Sequence, residues 1–186
     1  MAENTAGTRP MNRIFVVGTS GVGKTTLARH MGRILGLPVF HLDRLGFVAG
    51  WVRRPQADFA RDVDAIMTAS DNWVIEGNYN AVLAPRAARA EMLVLIDLPL
   101  WLCLVRVFGR WWKNRGHTRS DLPAGCIEPL PWTFLMWVLR APPSRQKVWL
   151  DLAANMPHLT FVHLKSAADV AAFTASLKPL HHDESD

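Results

Sequence analysis

The sequence predicts an α/β fold: a five-stranded parallel sheet with helices on both faces, interrupted by one basic, tryptophan-rich insertion. Three observations predict it. Short apolar runs alternate with helical patterns along most of the 186-residue chain, the alternation expected of strands joined by crossover helices. The run Met92–Ile96 (MLVLI) is apolar at every position, as a strand buried on both faces must be. The first run opens directly into a glycine-rich turn and then a helix.

The elements follow in order. Arg13–Val17 (RIFVV) is the first strand and ends at Gly18. Lys24–Leu35 is a helix with Leu27, Met31, Ile34 and Leu35 on one face, stopped by Gly36. Pro38–Leu42 (PVFHL) is the second strand. Pro55–Ala69 has Phe59, Val63, Ile66 and Met67 at helical spacing. Asn72–Glu76 (NWVIE) is the third strand, Tyr79–Ala90 a weaker, Ala-rich helix, and Met92–Ile96 the fourth strand. Trp101–Trp112 is helical, and so is Thr133–Leu152 with a break at Pro142–Pro143. Leu159–Leu164 is the fifth strand and Ala167–Leu177 the last helix.

Length favours one core. We expect a loose leader over residues 1–11, a single domain over 12–180 and a frayed polar tail over 181–186, whose His181 and His182 are solvated. The insertion occupies about 106–143. The 21 Lys and Arg against 16 Asp and Glu give a formal charge of +5, too small for a disordered chain of this apolar content. Cys103 and Cys126 cannot build a disulfide framework, and a reduced, cytoplasmic setting is the simplest reading. The longest apolar stretch is broken by Asp97 and Pro99, and no apolar leader is visible, so neither a membrane span nor a secretory signal is expected.

The chemistry starts at Gly18-Thr-Ser-Gly-Val-Gly-Lys24-Thr25, which satisfies G-x-x-x-x-G-K-[ST] at every fixed position. Strand before and helix after are the context this motif needs, and they make the fold class a P-loop NTPase. Gly18, Gly21 and Gly23, with Ser20 and Val22 between them, shape a nest of inward N–H groups for phosphate oxygens. The helix that begins at Lys24, Thr25 and Thr26 adds its positive end. Lys24 reaches the β- and γ-phosphates of ATP, and Thr25 ligates Mg²⁺.

Glu76 ends an apolar strand before Gly77 and is the candidate for holding the Mg²⁺ water shell. Asp43 closes the second strand, where ligands of open α/β sheets sit. It is placed to orient or deprotonate an attacking hydroxyl, or to cap the next segment. His41 reads as a packed or hydrogen-bonded histidine. Asp97 either supports the loop or caps the helix from Pro99.

From Leu98 to Ser120 there is no acid. Arg106 and Arg110 are four apart and share a helix face. Guanidinium forks bind phosphate oxygens bidentately, so this pair is a candidate clamp on the transferring phosphoryl group, while Lys113 and Arg115 read as solvated. Tryptophans among cations also fit nucleic acid, but Trp101, Trp132 and Trp137 lie in apolar surroundings, so packing is the better reading and nucleic acid is not favoured.

Assembled, the blocks GTSGVGKTTLAR (18–29), LPVFHLDRLGF (37–47), GW (50–51), WVIEGNY (73–79), LVLIDLPLWLCLVRVFGR (93–110) and RSDLPAGCIEP (119–129) resemble the adenylate kinase-like, or DNA topology modulation, family of small P-loop proteins. The resemblance covers roughly residues 13–150. It implies the nucleoside monophosphate kinase fold with a lid, ATP phosphates at Gly21, Gly23, Lys24, Thr25 and Thr26, an acid near Mg²⁺ at Glu76, and lid arginines at Arg106 and Arg110. The positions that hold AMP in true adenylate kinases are not recognisable, and no four-cysteine zinc lid exists. The His41-Leu-Asp43 ending looks more like kinases of small hydroxylated metabolites. The reading is an ATP- and Mg²⁺-dependent phosphotransferase with a small-molecule acceptor, nucleotide or hydroxylated metabolite. The rival is a nucleotide-gated regulatory ATPase that binds DNA or a protein. Acceptor, base preference and oligomeric state stay open.

Overall fold

A computed structural model describes residues 11–113, 122–123, 125–126 and 144–179. The leader before Met11, most of the expected insertion, with Arg115, Arg119, Trp132 and Trp137, and the tail over 181–186 lie outside the described residues. The elements are β1 (Arg13–Gly18), α1 (Lys24–Leu35), β2 (Val39–His41), α2 (Leu42–Gly46), β3 (Phe47–Val48), β4 (Val52–Arg53), α3 (Gln56–Ala69), β5 (Trp73–Glu76), α4 (Leu83–Arg89), β6 (Met92–Ile96), α5 (Leu100–Lys113), α6 (Ser144–Asn155), β7 (Thr160–Leu164) and α7 (Ala167–Ser176).

Five strands pair in the order β2-β5-β1-β6-β7, all parallel. Period-two alternation splits their side chains between two cores. Phe15, Val17, Trp73, Ile75, Leu93 and Leu95 face Phe59, Val63 and Met67 of α3, Leu83 and Ala87 of α4 and Trp149 of α6. Ile14, Val16, Val74, Met92, Val94 and Ile96 face Leu27, Ala28, Met31 and Leu35 of α1, with Val170 and Phe173 of α7 packed alongside. Each fully buried Val, Leu, Ile or Phe is worth about 1.5–3 kcal/mol, so this double-sided burial is what fixes the strand ends. Register then sets the site: Glu76 lies opposite Val16 on one side and His41 on the other, and Gly18 lies opposite Ile96.

Among the described residues the expected elements form, with three differences, while the part of the expected Thr133–Leu152 helix before Ser144, with its break at Pro142–Pro143, lies outside them. Leu42 is fully buried and begins α2 rather than ending β2. The Tyr79–Ala90 helix is divided: Tyr79 is extended, a short 3₁₀ turn spans Asn80–Val82, and α4 begins at Leu83 with Pro85 in its first turn, where no N–H partner is needed. The antiparallel β3–β4 hairpin has too few residues for any periodicity to show. No described helix is long and apolar enough to cross a membrane.

Candidate active site

The loop between β1 and α1 sits where three strands end together. Inside it, the Val22 N–H donates to the Thr19 carbonyl at 3.2 Å, and the Leu27 N–H donates to the Gly23 carbonyl at 3.0 Å. Gly21 has φ +82°, and a Cβ there would lie 2.5 Å from Val107 Cγ2 and 2.6 Å from the Cys103 carbonyl oxygen. No other residue fits, and α5 is thereby packed directly on the loop. Ser20 is half-buried and Thr26 exposed.

Lys24 Nζ donates to the carbonyls of Gly18 at 2.9 Å and Thr19 at 3.1 Å. Desolvation pulls its pKa below the ordinary lysine value; the charges of Glu76 and Asp43 oppose this, and Arg110 adds to it. Both carboxylates and Arg110 therefore act on the Lys24 ammonium.

Glu76 is buried. Its Oε1 accepts from Thr25 Oγ1 at 3.1 Å and from His41 Nδ1 at 2.9 Å. Burial by itself would raise this carboxyl, but the His41 hydrogen bond, the Lys24 charge and the Thr25 bond outweigh it and hold the pKa below 4.5. An ionised carboxylate touching the hydroxyl that follows the P-loop lysine fits Mg²⁺, which keeps most of its waters and takes one or two protein oxygens beside phosphate. Among the described residues no cluster of three His, Cys, Asp or Glu could hold a metal alone.

Asp43 lies in the first turn of α2, and its Oδ1 accepts from the Tyr79 hydroxyl at 2.9 Å. Arg106 donates from Nη1 to the Val22 carbonyl of the loop at 2.9 Å. Arg110, one turn on, is half-buried and electrostatically close to Lys24. The structure thus brings Lys24, Thr25, Glu76 and Asp43 together, with Arg106 and Arg110 on the bordering helix. Asp97 does something else: its Oδ2 accepts from His163 Nε2 at 3.1 Å and from Gln146 Nε2, fastening α6 and β7 to the end of β6.

Three participants were not singled out from the sequence. Asn78 clamps Gly18 by its backbone, accepting from the Gly18 N–H at 3.1 Å and donating to the Gly18 carbonyl at 2.6 Å. Tyr79 holds Asp43. Arg86 is wholly buried and donates to the carbonyls of Val82 at 3.1 Å, Gly77 at 2.9 Å and Tyr79 at 3.2 Å, with its guanidinium 5.5 Å over the Phe15 ring. Burial pulls it down to about 9 against the opposing charge of Glu76, so it is cationic at neutral pH. An arginine spaced three or four residues from Val82, Leu83 and Ala90, on the apolar face of an Ala-rich helix, was the available signal.

With this geometry in view, comparisons place the fold. A family model described as ATPase family associated with various cellular activities (AAA) matches residues 14–76, from β1 to Glu76. No curated protein matches the chain in sequence. Among solved structures it is similar to a shikimate kinase from Acinetobacter baumannii in complex with shikimate, at 16% identity and TM-score 0.52 over 89% of each chain. It is also similar to a shikimate kinase from Aquifex aeolicus, at 17% identity and TM-score 0.52 over 89% of this chain and 95% of that one. What is shared with these kinases is the fold, a five-stranded parallel sheet with helices on both faces.

Proposed function

We propose that this protein is a P-loop kinase, an ATP- and Mg²⁺-dependent phosphotransferase of the adenylate kinase-like class that acts on a small acceptor, nucleotide or hydroxylated metabolite. The observation that carries the reading is the meeting of Lys24, the Thr25–Glu76 pair and Asp43 at the ends of three neighbouring strands. The loop amides from Gly18 to Thr26 and Lys24 bind the phosphates. Thr25 and Glu76 would hold Mg²⁺, which when bound supplies charge neutralisation between the β- and γ-phosphates. Asp43 orients the acceptor, and Arg106 with Arg110 stabilises charge on the moving phosphoryl group. One domain over 12–180 with an insertion at about 106–143, in a cytoplasmic setting with no membrane partner, completes the reading; two buried free cysteines accord with it.

The test is ADP release and calorimetric MgATP affinity in the parent and in Lys24→Ala. Loss of about 100-fold in affinity, roughly 2.7 kcal/mol, is expected with the far-UV spectrum unchanged. Equal affinity and turnover in the two proteins would reject the reading.

A further inference from the structure

We propose that the acceptor is an alcohol that also carries an anionic group: Asp43 takes its hydroxyl and Arg53 binds its oxyanion. This rests on the phosphotransferase reading and narrows it. The fold aims one hydroxyl at one carboxylate. The Tyr79 phenol reaches Asp43 Oδ1 at 2.9 Å. It does so across Gly46, where a Cβ would fall 2.7 Å from the phenolic oxygen. The Tyr79 ring is held against Phe59 at 4.7 Å between centroids, and its carbonyl is held by the buried Arg86. The phenol donates to this oxygen, so Tyr79 orients the Asp43 carboxyl and favours its acceptor form over its protonated one. Burial and the Asp43 charge raise the Tyr79 pKa, which keeps that proton in place.

An ionised carboxylate discriminates between acceptor groups. A phosphate acceptor brings its own negative charge to the reacting oxygen, and like charges at close range in a partly desolvated site repel. An alcohol arrives neutral and needs a base. Asp43 and Tyr79 therefore favour a hydroxyl over a nucleoside monophosphate.

The second half comes from the β3–β4 hairpin beside them, where Phe47 pairs with Arg53. Arg53 stacks its guanidinium 5.5 Å over the Phe47 ring and makes no ion pair among the described residues. Its neighbour Arg54, by contrast, is paired with Asp62 at 2.7 Å. Trp51, at φ +62°, closes the hairpin edge-to-face on Phe47 at 5.3 Å. A non-glycine residue held there is strained, as residues at ligand clamps often are. The hairpin is tied back to Gly46, whose carbonyl accepts from the Arg54 N–H at 3.0 Å and whose Cα lies against the Tyr79 phenol, so Arg53 stands beside the Tyr79–Asp43 pair, and its charge is felt at Tyr79.

In the transfer, the acceptor O–H proton passes to Asp43 and the freed oxygen bonds to the γ-phosphorus. The bond from that phosphorus to the β–γ bridging oxygen breaks, and its electron pair stays on ADP. The products are a phosphate monoester, ADP and a proton released from Asp43 to water.

The test uses the full chain with MgATP and four sets of probes: hydroxy acids, hydroxylated phosphate esters, neutral polyols and nucleoside monophosphates. A member of the first or second set should accelerate ADP release at least about tenfold, with a phosphate monoester seen by phosphorus NMR; which set responds tells carboxylate from phosphate. Arg53→Gln should raise KM for that probe about tenfold with kcat within about threefold, and Tyr79→Phe should lower kcat with KM little changed. MgATP affinity should be unchanged in both variants, which also shows that they fold. Acceleration by nucleoside monophosphates with a diphosphate product overturns the proposal. So does equal use of neutral polyols with no Arg53→Gln effect, or no acceleration by any set while MgATP still binds. Failure of MgATP to bind would instead remove the phosphotransferase reading beneath it.

Discussion

Glu76 shows how one side chain can be tuned by neighbours that arrive from different strands. Thr25 and His41 both bond its Oε1, and Lys24 adds charge. Because the folded carboxyl titrates below 4.5, its ionised form contributes stability that is present above that pH and is lost as the pH falls through the folded value. Glu76→Gln, which keeps shape and removes charge, should therefore lose less stability than the parent between neutral pH and pH 3, read by urea unfolding. It should also lower Mg²⁺-dependent kcat more than ATP affinity; an unchanged kcat at saturating Mg²⁺ would make Glu76 a plain strand end. Lys24, Thr25 and Glu76 were legible in the sequence because a fixed local spacing and a strand end announce them. Asn78 was not. Gly77-Asn78 reads as a turn pair, and its real partner is the backbone of Gly18, 60 residues away. Tyr79 was hidden for the same reason, since its target Asp43 meets it only through tertiary packing.

Two elements carry the next consequences. Helix α4 exists to deliver Arg86 to three carbonyls of the segment that leads out of β5. Removing that buried cation strands those acceptors, at about 1–3 kcal/mol for each one left unpaired. Arg86→Met should cost that much in urea unfolding, and it should loosen Asn78 and Tyr79 together, seen as faster amide exchange from Gly77 to Val82; a loss below about 1 kcal/mol would show that the loop holds itself. Helix α5 has a double character. Its inner face is pressed on Gly21 through Cys103 and Val107, with Arg106 tied to Val22, while Trp101, Val105, Phe108 and Trp112 are exposed on the outside. The amphipathic helix was readable from spacing, but the sequence could not say that its base would rest on the phosphate loop. Arg110 lies one turn past this anchor. Phosphoryl-stabilising arginines are worth up to about 10³–10⁵ in rate, so Arg110→Ala should lower kcat by orders of magnitude with a smaller change in ATP affinity. A change in KM alone, measured by steady-state ADP release, would reduce it to a binding residue.

Across the whole molecule, strand content could be read residue by residue, whereas strand order could not. Nothing local says that β5 inserts between β2 and β1, yet that insertion is what sets Glu76 between His41 and the loop. Hairpin β3–β4 leaves no periodic pattern in the sequence because each strand has only two residues. The contact of Cys103 with the loop reaches further than packing. The chain has two cysteines, both free and buried: Cys103 directs its sulfur to the Leu98 carbonyl at 3.8 Å, and Cys126 directs its own to Val48 at 3.2 Å. Burial raises the Cys103 thiol above its ordinary value, so little thiolate is present at neutral pH and alkylation is slow. One thiol therefore stands behind the loop and the other beside the hairpin. The protein carries its own pair of chemical clocks, with no label to introduce. Mass spectrometry of iodoacetamide-treated protein should show MgATP slowing Cys103 selectively, and an acceptor slowing Cys126. Equal slowing of both by nucleotide alone would mean that the loop and the hairpin tighten together.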